Sequence, residues 1–181
     1  MTEGIASIGR NAFSGCDKLH QVVLPISIEE INDSAFENCR NLKSVSLPGA
    51  LKTIGNAAFK GTGLRTIAIP ESVFWIGNGV VADCQLLEHV TIPSNMDKIP
   101  EHMFEGCINL KKVELHERLN EIGERAFFGC SSLDFIVIPD SVKKIGKNAF
   151  TNTDKQFIMQ SSFGSYAEEY ARKNKFKYQL V

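Results

Sequence analysis

The stretch Ile122-Gly-Glu-Arg-Ala-Phe-Phe-Gly-Cys-Ser-Ser-Leu-Asp-Phe-Ile-Val-Ile-Pro139 recurs, whole or in part, along the chain. Aligned on its isoleucine, the copies begin at Ile8, Ile31, Ile54, Ile76, Ile99, Ile122 and Ile145, a period of 23 residues with one step of 22. An Ala-Phe pair follows at Ala12-Phe13, Ala35-Phe36, Ala58-Phe59, Ala126-Phe127 and Ala149-Phe150, and Val80-Val81 and Met103-Phe104 fill the same slots. A leucine comes next, at positions 19, 42, 64, 87, 110 and 133. Two aliphatics lie three and five residues further on, as in Val45/Leu47 and Ile136/Ile138. Proline closes the unit at Pro25, Pro48, Pro70, Pro93 and Pro139, and His116 replaces it once. The step of 22 reflects one missing residue between Phe59 and Leu64.

A fixed period of 20–29 residues containing L-x-x-V-x-L is the mark of a leucine-rich solenoid. Its V-x-L part alternates with the period of a strand, so each coil contributes one short strand near 21–24, 44–47, 66–69, 89–92, 112–115 and 135–138. The expected fold is a right-handed leucine-rich repeat solenoid. It has one parallel β-sheet of about six short strands, short helical turns on the other side and a C-terminal helix cap. The helical turns are read from the spacing i, i+4, i+5, i+8 of Ile31, Ala35, Phe36 and Cys39. Each turn ends in a residue that tolerates left-handed φ: Gly15, Asn38, Gly61, Asp83, Gly106, Gly129 or Asn152. The glycine after each isoleucine is less strict, because Asn32 and Pro100 also stand there. That slot calls for smallness and not for positive φ.

At 181 residues the chain fits one domain, 1–181: a partial coil at 1–15, six repeats of 22–23 residues at 16–152, and a degraded last coil with a cap at 153–181. A net charge of −1 with no basic face gives no reason to expect nucleic acid. No apolar run approaches the ~18 residues of a membrane span. The start, Met-Thr-Glu-Gly-Ile, lacks the pattern of a signal peptide. The first coil has no strand and no visible cap over Ile5, Ile8 and Phe13, so the natural protein is expected to continue upstream. The other end carries a capping-box pattern at Ser165-Tyr-Ala-Glu168, a helix, and an alternating segment Phe176, Tyr178, Leu180.

The unit C-x-x-L-x-x-V-x-L-P-x-S-V-x-x-I-G-x-x-A-F-x-G, complete at Cys130–Asn152 except for Asn152 in the glycine place, resembles the BspA-type leucine-rich repeats of bacterial surface proteins, treponemal relatives and some parasitic protists. The resemblance covers nearly the whole chain and includes the tail Gly164–Asn174. It implies a surface-exposed or secreted protein that adheres to a host-matrix or cell-surface protein. It carries over no catalytic residue and implies no cofactor. The chain departs from the more familiar leucine-rich repeat in lacking an asparagine ladder: Ser27, Ala50, Ser72, Asn95, Arg118 and Ser141 fill that slot.

Cys16, Cys39, Cys84, Cys107 and Cys130 share one slot with Thr62 and Thr153. A small, weakly polar residue facing the core accounts for all seven, so free buried thiols are expected. The four histidines are scattered, with His89 and His116 near each other on the strand face, and no nucleophile with base and orienter can be assembled. Binding is therefore read from surface positions. Between the core aliphatics the strands point outward Gln21/Val23, Ser44/Ser46, Thr66/Ala68, His89/Thr91, Lys112/Glu114 and Phe135/Val137, a face expected to be concave. On the coil's other short extended segment the outward pairs are Glu29-Glu30, Lys52-Thr53, Phe74-Trp75, Asp97-Lys98, Asn120-Glu121 and Lys143-Lys144. Only Phe74-Trp75 is apolar. That pair, with an exposed Phe128, is the candidate anchor for a partner protein or for a second copy of the chain, and the uncapped first coil is another route to a homodimer. An intracellular scaffold is the competing reading of the same surfaces.

Overall fold

The structure, a computed structural model, describes residues 4–181, so residues 1–3 of the partial first coil lie outside it. In chain order its strands are β1 (Ser7–Ile8), β2 (Gln21–Val23), β3 (Glu30–Ile31), β4 (Ser44–Ser46), β5 (Thr53–Ile54), β6 (Thr66–Ala68), β7 (Trp75–Ile76), β8 (His89–Thr91), β9 (Lys98–Ile99) and β10 (Lys112–Val113). Next come β11 (Glu121–Ile122), β12 (Phe135–Val137), β13 (Lys144–Ile145) and β14 (Ile158–Ser161), then helix α1 (Tyr166–Asn174) and β15 (Lys177–Leu180). Every strand pairing is parallel and joins residues of the same slot, such as Val22 with Val45, Ile67 with Val90 and Ile122 with Ile145. Among the described residues no helix is long and apolar enough to cross a membrane.

The solenoid has two strand walls. The even-numbered strands, joined at the end by β15, form the wall expected from the V-x-L pattern. The two-residue odd-numbered strands from β1 to β13 form a second wall around the repeated isoleucine. Neither wall is one continuous ladder, contrary to the single sheet expected. The first divides into β2-β4, β6-β8-β10 and β12-β14-β15, the second into β1-β3-β5-β7 and β9-β11-β13. Two of these breaks have visible causes. Between β4 and β6 the coil is one residue short, and Gly63 is pressed so close that a Cβ there would lie 2.3 Å from the Arg40 carbonyl oxygen. Between β7 and β9 stands Pro100. In the other coils the residue of this slot donates its N–H to the preceding isoleucine carbonyl, as Gly55 does to Ile31 (2.7 Å) and Gly123 to Ile99 (2.8 Å). Proline has no N–H to give.

The third side of the coil is not helical, which corrects the expected helical turns. Its N–H groups alternate between their own turn and the next coil. Ala35, Glu37 and Cys39 donate to Asn32, Ser34 and Phe36, whereas Ser34, Phe36 and Asn38 donate to Asn56, Ala58 and Lys60. An α-helix would send every donor back along its own chain. The alternation needs two left-handed residues per coil, four apart. The second is the slot read from sequence, with φ from 57° at Asp83 to 75° at Gly129. The first holds Asn11, Ser34, Ala57, Gly79, His102, Arg125 and Asn148, all with φ between 53° and 62°.

Inside the walls, side chains of one slot stack into columns. Phe36, Phe59, Phe104, Phe127 and Phe150 are fully buried. Their rings stack at 5.1–5.3 Å, close to the ~4.8 Å spacing of paired strands. Val81 splits the column in two, and Phe157 continues it at 5.5 Å. Tyr170 and Phe176 then close it edge-on against Phe150. Each stacked pair contributes about 0.5–1.5 kcal/mol beyond its burial. At the other end Phe13 stacks on Phe36 at 5.2 Å and remains 40% exposed. The cap helix starts at Ser165, whose hydroxyl accepts from the Glu168 N–H (3.2 Å). Its end is set by Lys175 at φ 61°.

The glycine slot after the isoleucine gives a direct test of close stacking. At Gly146 an added Cβ would lie 2.4 Å from the Glu124 nitrogen, whereas at Gly9 it would meet nothing within 4 Å. Gly146→Ala should cost about 1–3 kcal/mol in thermal or urea denaturation. Gly9→Ala should stay within about 0.5 kcal/mol. Equal losses at both sites would show that backbone freedom, not space, decides this slot.

Candidate functional site

The two strand walls present two separate surfaces. On the first, Ser44, Ser46, Thr66, Ala68, His89, Thr91, Lys112, Glu114, Phe135 and Val137 are all exposed, and strand register joins Thr66 to His89, Ala68 to Thr91 and His89 to Lys112. His89 and His116 line one shallow groove of about 230 Å³ with Thr91, Lys112 and Glu114. A second groove of about 360 Å³ opens at the break between β10 and β12, between Lys112–Glu114 and Phe135–Val137. Lys112 and Glu114 pair at 2.7 Å, and this partner holds the Glu114 carboxyl below its usual range.

Phe74 and Trp75 stand on the other wall, so the structure does not join them to the strand-face residues. Phe74 is 72% exposed and Trp75 46%. This wall is otherwise a ladder of charges paired from coil to coil. Lys52 reaches Glu29 at 2.7 Å, and Lys98 and Lys144 both reach Glu121, at 3.2 and 3.1 Å. Phe74-Trp75 cuts the ladder at the break between β7 and β9. A groove of about 390 Å³ opens there, lined by Phe74, Trp75, Ile76, Asn78, Asn95, Met96, Asp97 and Lys98 among others.

Phe128, expected to be exposed and to join this pair, is half-buried and lies elsewhere. The Arg125 guanidinium sits 3.6 Å over its ring. Arg125 also binds Glu105 (2.5 Å), which His102 contacts as well. Arg125 chiefly, then His102, holds that carboxyl below its usual range. The φ of Arg125 is 53°, and this left-handed turn places its side chain over Phe128. No one-residue rule signals that conformation for arginine.

The corner without an asparagine ladder is bridged piecemeal, and the buried Ser141 hydroxyl has no partner among the described residues. Ser27 and Ser72 hydroxyls donate to the carbonyls of Ile5 and Leu51, at 2.8 and 2.7 Å, and the Asn95 amide donates to that of Glu71 at 3.1 Å. In the cysteine slot, thiols donate to a carbonyl of the coil before: Cys39 to Phe13, Cys84 to Phe59, Cys107 to Val81 and Cys130 to Phe104, at 2.9–3.2 Å. Thr62 and Thr153 place hydroxyls in the slot and bond back into their own turns. Burial pushes the Cys84 thiol up to about 11, Cys130 to about 12 and Cys107 well above its ordinary value. Cys16 differs from the expectation of a buried thiol: it is exposed, because it belongs to the first coil.

The two-walled parallel stack with one conserved slot plan per coil defines a leucine-rich repeat protein. The sequence matches the BspA type leucine-rich repeat region in six copies, over residues 1–95 and 29–157, and the chain belongs to that family. Its fold is similar to that of a leucine-rich repeat protein from Bacteroides ovatus ATCC 8483, with a TM-score of 0.74 and 27% identity over 97% of this chain. The chain spans 55% of that protein's length. It is also similar to the Treponema pallidum leucine-rich repeat protein, with a TM-score of 0.52 and 29% identity over 79% of this chain and 59% of that one. A leucine rich cell surface protein of Faecalibacterium prausnitzii A2-165 shares the fold, with a TM-score of 0.50 and 23% identity over 92% of this chain and 72% of that one. Among curated proteins none matches the sequence.

The thiol column is testable by chemistry. Raised thiol pKa values keep the inner four protonated at neutral and mildly alkaline pH, and thiolate is the reactive form. Titration of the native protein with an aromatic disulfide reagent at pH 8 should release one equivalent, from Cys16. After denaturation it should release five, since the sequence holds five cysteines. Fast reaction of two or more native thiols would show that the column is not closed.

Proposed function

We propose that the chain is a non-enzymatic protein-binding repeat module of a surface-exposed or secreted protein, and that Phe74 and Trp75 anchor the partner. The family supports a protein-interaction solenoid. The observation that carries the anchor is the exposure of two adjacent aromatics on a wall that otherwise pairs charges from coil to coil. The core does not need them there: Val73 already points inward and is buried, and Ile76 is packed against the core. Tryptophan is also the side chain most enriched among residues that dominate binding energy. The partner is read as a host-matrix or cell-surface protein, or a second copy of the chain. The first wall offers a broad, small-residue surface that can add contact area without supplying an anchor.

The double substitution Phe74→Lys with Trp75→Ser tests this. Binding to a panel of immobilised extracellular-matrix proteins, and self-association by sedimentation velocity, should fall at least tenfold, the effect of about 1.4 kcal/mol. Stability should change by no more than about 1 kcal/mol, since neither ring is enclosed. A large drop in melting temperature with binding intact would place the aromatics in the core and overturn the proposal.

A further inference from the structure

The groove beside Trp75 is unusual in which polar atoms it leaves free. In the other coils of this wall, the carbonyl two residues before the isoleucine accepts an N–H from the next coil, as Lys52 accepts from Phe74 (3.1 Å) and Asp97 from Asn120 (2.7 Å). Among the described residues the Phe74 carbonyl accepts none, and Pro100 removes the donor that would reach the Ile76 carbonyl. A side-chain ladder stops at the same place. The Asp33 carboxylate accepts from the Asn56 N–H and the Asn56 side-chain oxygen from the Asn78 N–H, both at 2.8 Å, but the Asn78 side-chain oxygen accepts nothing among the described residues. The Asp97 carboxylate has no ion pair or hydrogen bond among the described residues, because Lys98 turns away to Glu121. The donors nearby are already engaged: the Asn78 amide on Glu101 and the Asn95 amide on Glu71.

The groove therefore combines acceptors, one free carboxylate and two exposed aromatic faces. A ligand that fits must bring several donors, positive charge and a planar group able to stack. Arginine has all three: five N–H donors in a flat cation that is weakly hydrated and stacks on indole. We propose that the Phe74–Trp75 groove binds an arginine side chain on an extended segment of the partner protein, with Asp97 as the counter-charge and the Phe74 and Ile76 carbonyls as additional acceptors. This rests on the protein-binding reading of the same aromatics.

The chain has a single tryptophan, so its fluorescence reports on this groove alone. The probe is a capped pentapeptide, Ala-Ala-Arg-Ala-Ala, compared with the same peptide carrying citrulline, which keeps the shape and loses the charge. The arginine peptide should change Trp75 emission saturably, bind at least about tenfold more tightly than the citrulline peptide, and weaken as salt is raised. Asp97→Asn should remove that preference, and Asp97→Lys should abolish binding, with circular dichroism unchanged in both. Equal binding of both peptides, no response to either, an Asp97→Asn variant that keeps the preference, or saturation by a neutral disaccharide instead would overturn the inference. If matrix-protein binding is lost in the Phe74/Trp75 double variant but unaffected by Asp97→Lys, the anchor stands and the arginine assignment fails.

Discussion

The structure depends on each coil completing the hydrogen bonds of the next. On the two strand walls this is ordinary parallel pairing. On the third side it is the alternation in which every second N–H leaves its own turn for the neighbouring carbonyl, as Phe36 does to Ala58 and Phe127 to Ala149, both at 2.8 Å. Backbone groups buried without partners cost about 1–3 kcal/mol each, so no coil is stable alone and the spacing between coils is fixed. Once the spacing is fixed near 5 Å, side chains of one slot must touch their own kind. Phenylalanine stacks on phenylalanine, isoleucine packs on isoleucine, and a thiol finds the carbonyl below it.

This constraint explains what could be read from the sequence. Identical residues at a fixed period are the direct imprint of stacking, so the strands, the family and the capped C-terminal end were legible. The left-handed slot was legible because Gly, Asn and Asp dominate it. The glycine slot was legible as a need for space because Pro100 occupies it, and the close contacts at Gly55, Gly77, Gly123 and Gly146 give the reason. The other left-handed slot was not. It holds Ser34, Ala57, His102 and Arg125, and the stack imposes a conformation that their own preferences oppose. Its spacing to the next apolar positions imitates a helix, which is why helical turns were expected. Nor could Phe128 be placed, since its cover, Arg125, depends on that hidden turn.

The breaks in the walls were equally hidden, because each arises from a local departure whose consequence lies one coil away. A missing residue near Gly63 presses that backbone against Arg40 and interrupts the first wall. Pro100 leaves the Ile76 carbonyl without its donor. Neither residue would be chosen as part of a site from its type. Phe74 and Trp75 were legible as exceptions to a pattern, but the acceptors beside them were not, since backbone carbonyls are the same in every coil until one loses its partner.

A repeat that satisfies itself everywhere has little to offer a partner. Its polar groups are paired coil to coil, and its surface charges neutralise one another, as Glu29 with Lys52 and Lys98 with Glu121. Recognition then requires places where the repeat fails to close. At β7/β9 three failures coincide: the charge ladder stops at Phe74, the side-chain ladder from Asp33 through Asn56 stops at Asn78, and the strand ladder stops at Pro100. The solenoid around them is closed on both sides by intact pairs, so the site is held rigid by its neighbours while its acceptors stay free. A rigid frame lowers the ordering cost of binding, and free acceptors keep their full hydrogen-bonding capacity for an incoming cation. Periodicity in this chain therefore supplies the frame, and specificity is written in the three residues types that break it: an aromatic pair, an asparagine with no successor, and a proline.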